Sequence, residues 1–126
     1  MVKVKYFLRG TKDLYISEKV FNFIRSYEKK DRYGQCVNEV VYKLNYLACG
    51  GFVVDNKTIK HEGVGVFRIR VQDIGRIIGF YDGTDKFIAI DWYYKKTQKL
   101  NKMQKRIIKE VAKIKKHSEW MFEIGG

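Results

Sequence analysis

Apolar and polar positions alternate at the start of the chain, with Val2, Val4, Tyr6 and Leu8 set against Lys3 and Lys5. A period of two predicts a half-buried strand. Thr11 to Asp13 punctuate the chain, and the period then changes. Behind Ser17, a residue type suited to capping a helix, Val20, Phe21, Ile24 and Tyr27 recur at helical spacing until the charged stretch from Glu28 to Arg32. A second helix is predicted after Tyr33-Gly34, carrying Val37, Val40, Val41, Leu44, Leu47 and Ala48 on one face. Gly50-Gly51 ends it. Cys36 and Cys49 fall at the ends of this helix as small apolar side chains, too far apart to bridge, so reduced thiols are expected.

Residues 52–63 are polar and irregular, and a new period of two begins at Val64. Phe67, Ile69 and Val71 point one way, while Val66, Arg68 and Arg70 point the other. Asp73 and Gly75 supply turn chemistry before the run from Arg76 to Tyr81, and Asp82-Gly83 marks the next reversal. Phe87 to Tyr94 form a last strand. Three contiguous strands of this kind make an antiparallel meander the simplest arrangement. A final helix is predicted from about Leu100, with Met103, Ile107, Ile108, Val111 and Ile114 on its apolar stripe. The expected fold is α+β in the order β-α-α-β-β-β-α, a four-stranded, mainly antiparallel sheet with its helices on one face.

Composition adds a core and a partner to this outline. With 126 residues and 45% hydrophobic content, the chain suffices for one domain with its own core, and the absence of proline and of low-complexity linkers argues against disorder. No apolar run is long enough for a membrane span or a secretory signal, which leads to the expectation of a cytoplasmic protein with no membrane role.

The formal net charge of +12 is unevenly distributed. Residues 95–116 carry ten basic side chains against Glu110, so this stretch holds +9 of the total. A lysine-rich helix is often no more than a solvated face, but such faces interleave acids with bases in i,i+4 pairs. Here the cations repel one another unless a polyanion compensates them, and nucleic acid is the expected partner.

Neither metal nor nucleotide chemistry is supported by spacing. Cys36, Cys49, His61 and His117 form no C-x-x-C or H-x-x-x-H pattern, and Gly63-Val64-Gly65 lacks a third spaced glycine and leads into a strand. No metal and no cofactor is expected. The stronger pattern is Arg68 and Arg70 on one strand face, Arg76 opening the next strand, and Lys95 and Lys96 after the aromatic run Trp92-Tyr93-Tyr94. Cations and rings in that arrangement suit RNA backbone and unpaired bases. They also suit RNA cleavage by its own 2′-OH, in which guanidiniums stabilise charge on the pentavalent phosphorus.

The chain resembles the RelE/HigB toxin superfamily, in particular its phage-derived HigB-like branch. The resemblance is carried by Gly65-Val66-Phe67-Arg68-Ile69-Arg70, by Gly75-Arg76-Ile77-Ile78-Gly79-Phe80-Tyr81 and above all by Tyr94-Lys95-Lys96-Thr97-Gln98-Lys99 leading into a basic helix. It implies a type II toxin that cleaves mRNA on the ribosome, with mRNA, ribosomal RNA of the A site and a cognate antitoxin as partners. By position, Arg68 and Arg70 match a basic pair that grips mRNA, Arg76 matches an arginine that stabilises the scissile phosphate, and Lys95 or Lys96 stands near a further catalytic cation.

Two departures are visible. Many members of the branch carry Glu where Arg68 stands, and the tyrosine that RelE carries after its last strand has no counterpart between Leu100 and Gln104. Tyr81, Tyr93 and Tyr94 remain as substitutes. The candidate catalytic set is Arg68, Arg70, Arg76, Tyr94 and Lys95, and the candidate RNA-binding set is Lys96, Lys99, Lys102, Lys105, Arg106, Lys109 and Lys113. The alternatives are a ParE-like toxin that poisons gyrase and a non-catalytic RNA-binding protein of the same fold.

Overall fold

The computed structural model describes residues 1–8, 13–28, 59–63, 65–71, 75–83, 85–94 and 102–123. Strands β1 (Val2–Leu8) and β2 (Asp13–Ser17) form an antiparallel hairpin, and helix α1 (Glu18–Glu28) follows directly. Then come β3 (Ile59–His61), β4 (Phe67–Val71), β5 (Gly75–Asp82), β6 (Lys86–Tyr94), helix α2 (Lys102–Lys116) and β7 (Trp120–Phe122). The helix predicted between Gly34 and Gly50 lies outside the described residues, as do both cysteines.

The expected meander is present as β4-β5-β6, paired antiparallel throughout. It sits inside a larger sheet than the four strands expected. Seven strands run in the order β3-β4-β5-β6-β2-β1-β7, and the sheet is mixed because β2 pairs parallel with β6 and β7 parallel with β1. The three additional strands are β2, β3 and β7. Among the described residues no helix is long and apolar enough to cross a membrane.

Ser17 fixes where strand becomes helix. Its hydroxyl accepts from Val20 N at 3.2 Å, capping α1, and donates to the Ile90 carbonyl at 2.6 Å, tying the helix start to β6. Val20, Phe23 and Ile24 then pack on Leu14, Ile16, Ile69, Ile77, Phe87 and Ala89. Ile108 and Val111 of α2 pack on Val4, Val66, Ile78, Phe80, Ile88, Ile90 and Tyr93. Ile77 and Ile78 are neighbours in one strand and face opposite ways, so α1 and α2 cover opposite faces of the sheet. This corrects the one-face arrangement: each face of the central strands is apolar and needs its own cover.

β6 carries one irregularity with consequences for the site. Ile78 pairs with Asp91 and Gly79 with Ala89, which leaves Ile90 as an extra residue, a β-bulge. Gly79 permits the close approach there, since a Cβ on it would overlap the Ile88 carbonyl oxygen. The alternation of β6 changes phase at the bulge. Phe87, Ala89 and Trp92 share the α1 side, and Ile88, Ile90 and Tyr93 share the α2 side.

Candidate nucleic-acid interface

Register sets the direction of each arginine. Arg68 pairs with Ile78, which faces α2, and Arg70 pairs with Arg76, which in turn pairs with Tyr93. Directly paired residues share a face. Arg68, Arg70, Arg76 and Tyr93 therefore gather on the α2 side, at the end of the meander where β5 begins. Gly75 confirms the phase, because a Cβ on it would point at the Phe23 ring on the α1 side. Two cations placed directly opposite each other, as Arg70 and Arg76 are, work against sheet stability. Such a placement suits a surface made to receive an anion.

The cluster is largely withdrawn from solvent. Arg76 is only 5% exposed, and its Nη1 donates to the Gly75 carbonyl at 2.8 Å. Arg68 Nε lies 3.2 Å from Glu62 Oε1, with the two side chains 18% and 8% exposed. The pair is in ionic contact without an aligned hydrogen bond, and Glu62 Oε1 and the Tyr93 hydroxyl are buried oxygens with no hydrogen-bond partner among the described residues. Burial pushes the Tyr93 hydroxyl above its ordinary value, and the Arg68 guanidinium beside it pulls part of the way back. At neutral pH the group is a proton-bearing phenol and not a base.

Glu62 was not singled out by sequence, because it stands in the stretch read as irregular. Glu62 N donates to the Val66 carbonyl at 2.8 Å and Val66 N to the Gly63 carbonyl at 3.0 Å, closing a β3–β4 hairpin. Gly63 and Gly65 adopt φ of 82° and 75°, the left-handed region that side chains disfavour. The paired glycines were the available signal for this turn. Lys115 Nζ reaches the Gly65 carbonyl at 3.4 Å, so the end of α2 is pinned to the same turn.

The tyrosines separate by face. Tyr94 is 45% exposed and meets Trp92 edge-on at 4.7 Å, on the α1 side and away from the arginines. Tyr81 packs against Phe67 and Phe87, also on the α1 side, where burial raises its pKa. Tyr93 is the one of the three that shares the arginine face. Lys95, Lys96 and Lys99 lie outside the described residues.

α2 forms one wall beside this cluster. Gln104, Ile108 and Val111 are buried against the sheet, with the Gln104 amide donating to the Tyr94 carbonyl at 2.9 Å. At about 100° per residue, Lys105, Lys109 and Lys116 lie on one flank of that buried line. Arg106, Ile107, Glu110 and Ile114 line a cleft toward β1 on the other flank, together with Val2 and Phe21. The Lys105 flank therefore faces the arginine strands. Lys102 falls beside Lys109, and Lys113 points away from the sheet; Lys102, Lys105, Arg106, Lys109 and Lys113 are all exposed. The cations of the last turn, Lys113, Lys115 and Lys116, complement the helix dipole, but the first turn has no acid, and Lys102 and Lys105 near that end are not explained by helix stability.

Residues 22–113 match the model of a protein family described as "Phage derived protein Gp49-like (DUF891)". The chain belongs to this Gp49-like family. It is a RelE/HigB-type toxin family, in agreement with the resemblance carried by the sequence motifs. No curated protein matches the chain. Among solved structures, it is similar to a YoeB/ParE toxin from Agrobacterium tumefaciens at 12% identity and a TM-score of 0.43, over 75% of this chain and 98% of that one. The matched Gp49-like segment contains Glu62, the three arginines, Tyr93 and α2 as far as Lys113. β1, β2 and β7 lie outside it, as do Lys115 and Lys116.

Proposed function

We propose that this Gp49-like chain is the toxin of a type II toxin-antitoxin pair and a ribosome-dependent mRNA endonuclease. The observation that carries the reading is the gathering of Arg68, Arg70 and Arg76 on one sheet face beside the Lys105–Lys109 flank of α2. A bound codon lies over the arginines, and the cations of α2, with Lys96 and Lys99 before it, hold ribosomal RNA of the A site. The 2′-hydroxyl gives up its proton to solvent as its oxygen attacks the adjacent phosphorus, the bond to the 5′-oxygen breaks with a proton taken up by that oxygen, and the products are a 2′,3′-cyclic phosphate and a free 5′-hydroxyl. Guanidiniums stabilise the extra negative charge of the pentavalent intermediate without any metal. Lys95, beyond the end of β6, adds a further cation and a proton for the leaving oxygen. Tyr94 serves the opposite face, where an exposed ring can stack. A cognate antitoxin neutralises the toxin.

Expression from a tight promoter tests the reading. Growth should arrest, and primer extension on a reporter mRNA should show in-codon cuts that vanish when translation is blocked. Arg76→Ala should reduce cleavage about 100- to 1000-fold, the usual cost of removing one oxyanion stabiliser. Growth arrest with intact mRNA and damaged DNA would point to a gyrase poison of the same fold. RNA binding without toxicity would point to a non-catalytic RNA-binding protein.

A further inference from the structure

The Arg68–Glu62 pair is an odd structural ion pair. Both side chains are mostly buried, yet the carboxylate approaches a single edge of the guanidinium and leaves Oε1 without an aligned donor. Arginine binds best through two parallel hydrogen bonds to an oxyanion with two free oxygens. The carboxylate occupies that position without using it fully. Its anchorage is also local: Glu62 is held through its own backbone to Val66, in a turn whose left-handed glycines and Lys115 contact fix the main chain independently of the side chain.

We propose that Glu62 is an internal occupant of a phosphate site on Arg68, displaced when a phosphodiester enters. The exchange is charge for charge. Arg68 never stands unpaired in a poorly solvated site, where an isolated charge would be costly. Glu62, on the rim turn, rotates toward water about its side-chain bonds while the hairpin stays closed. A phosphodiester offers both non-bridging oxygens to the fork that the carboxylate engages only from one edge. Glu62 thereby sets how strongly the site competes for RNA: it shields Arg68 from weak anions and yields to a ligand that engages the neighbouring arginines as well. The inference rests on the proposed function for the identity of the ligand, not for the exchange itself.

The test measures binding without cleavage. A 2′-O-methyl oligoribonucleotide is titrated by fluorescence anisotropy over a series of KCl concentrations, and inorganic pyrophosphate by calorimetry. Glu62→Gln keeps the shape and removes the competing charge, so both ligands should bind about tenfold tighter. The salt slope for RNA should steepen by about 0.7, because no freed carboxylate takes up a cation in exchange. The gain should vanish in the Glu62→Gln/Arg68→Gln double variant. In the unmodified protein the Arg68 Nε–H resonance should move when pyrophosphate is added, a measurement that stands even if a variant folds poorly. Unchanged or weaker binding by a well-folded Glu62→Gln protein, a gain that persists without Arg68, or no binding of either ligand would overturn the exchange. Tighter pyrophosphate binding by Glu62→Gln with no RNA binding would uphold the exchange and overturn the RNA reading.

Discussion

Tyr93 shows how much one residue's placement depends on its neighbours. Uninterrupted alternation along β6 would put Tyr94 on the side of Ile88 and Ile90, with the arginines, and Tyr93 on the side of Phe87 and Ala89. The extra residue Ile90 reverses this, so that Tyr93 faces Arg76 and Tyr94 faces α1. Nothing in the sequence of a regular apolar strand marks such a bulge, whereas the phase of Arg68 and Arg70 could be read because β4 has none. The burial of Tyr93 makes a prediction about alkaline stability. Its folded pKa is raised, so below the ordinary tyrosine value of about 10 the hydroxyl carries its proton in both folded and unfolded chains and costs nothing through ionisation. Above that pH the unfolded chain loses the proton first, and stability falls until the folded pKa is passed, by up to about 1.4 kcal/mol per pH unit for each such group. Urea denaturation between pH 8 and 11 should show this fall, and Tyr93→Phe should make it shallower, the remainder including Tyr81, raised by burial, and Lys86, raised by its hydrogen bond to Asp85. An identical slope in Tyr93→Phe would mean that the hydroxyl ionises freely in the folded protein.

At the scale of elements, legibility followed length and locality. α1 and α2 were readable because each repeats its apolar period over three or more turns and has recognisable ends, Ser17 at the start of α1 above all. The meander was readable because its strands are joined by short turns. β2, β3 and β7 are five, three and three residues long. None presents enough of a period-two pattern to register, and β2 and β7 are held by parallel partners distant in sequence. The basic character of α2 was equally plain, but not which of its cations meet the arginine face, since that depends on how the helix is rotated onto the sheet. Gln104, a polar residue in the buried line, settles the rotation through its bond to Tyr94. Neutralising Lys105, Lys109 and Lys116 together should therefore weaken RNA binding and flatten its salt dependence by about 0.7 for each phosphate that no longer has a cation beside it. Replacing Arg106 and Lys113 should do less, because Arg106 lines the cleft toward β1 and Lys113 points outward. Equal effects from the two sets would show that α2 acts as a diffuse cationic surface.

In the molecule as a whole, the sheet curls far enough for its edge to touch its middle. Trp120 of β7, at one end of the strand order, meets Phe80 of β5 with ring centroids 5.6 Å apart, and Phe122 meets Tyr15 at 4.6 Å. Strand twist accumulated over a mixed sheet produces this closure, and α2 is packed inside it. Phe80 and Arg76 belong to the same strand but lie four residues apart, about 13 Å. One end of β5 thus serves the closure of the fold and the other carries the arginine cluster. Sites separated by more than about 10 Å with no shared partner usually contribute independently. Trp120→Ala should accordingly lower unfolding stability by about 2 kcal/mol, less than a fully buried ring would cost because Trp120 is partly exposed. RNA affinity of the protein that remains folded should stay within about twofold of the original, since Trp120 meets β5 at Phe80 and the arginines gather at that strand's other end. Chemical denaturation gives the first quantity and anisotropy below the melting temperature the second. If affinity fell in step with stability, β5 would be transmitting strain from one end to the other. The closure of the sheet would then be part of the binding site, not only its support.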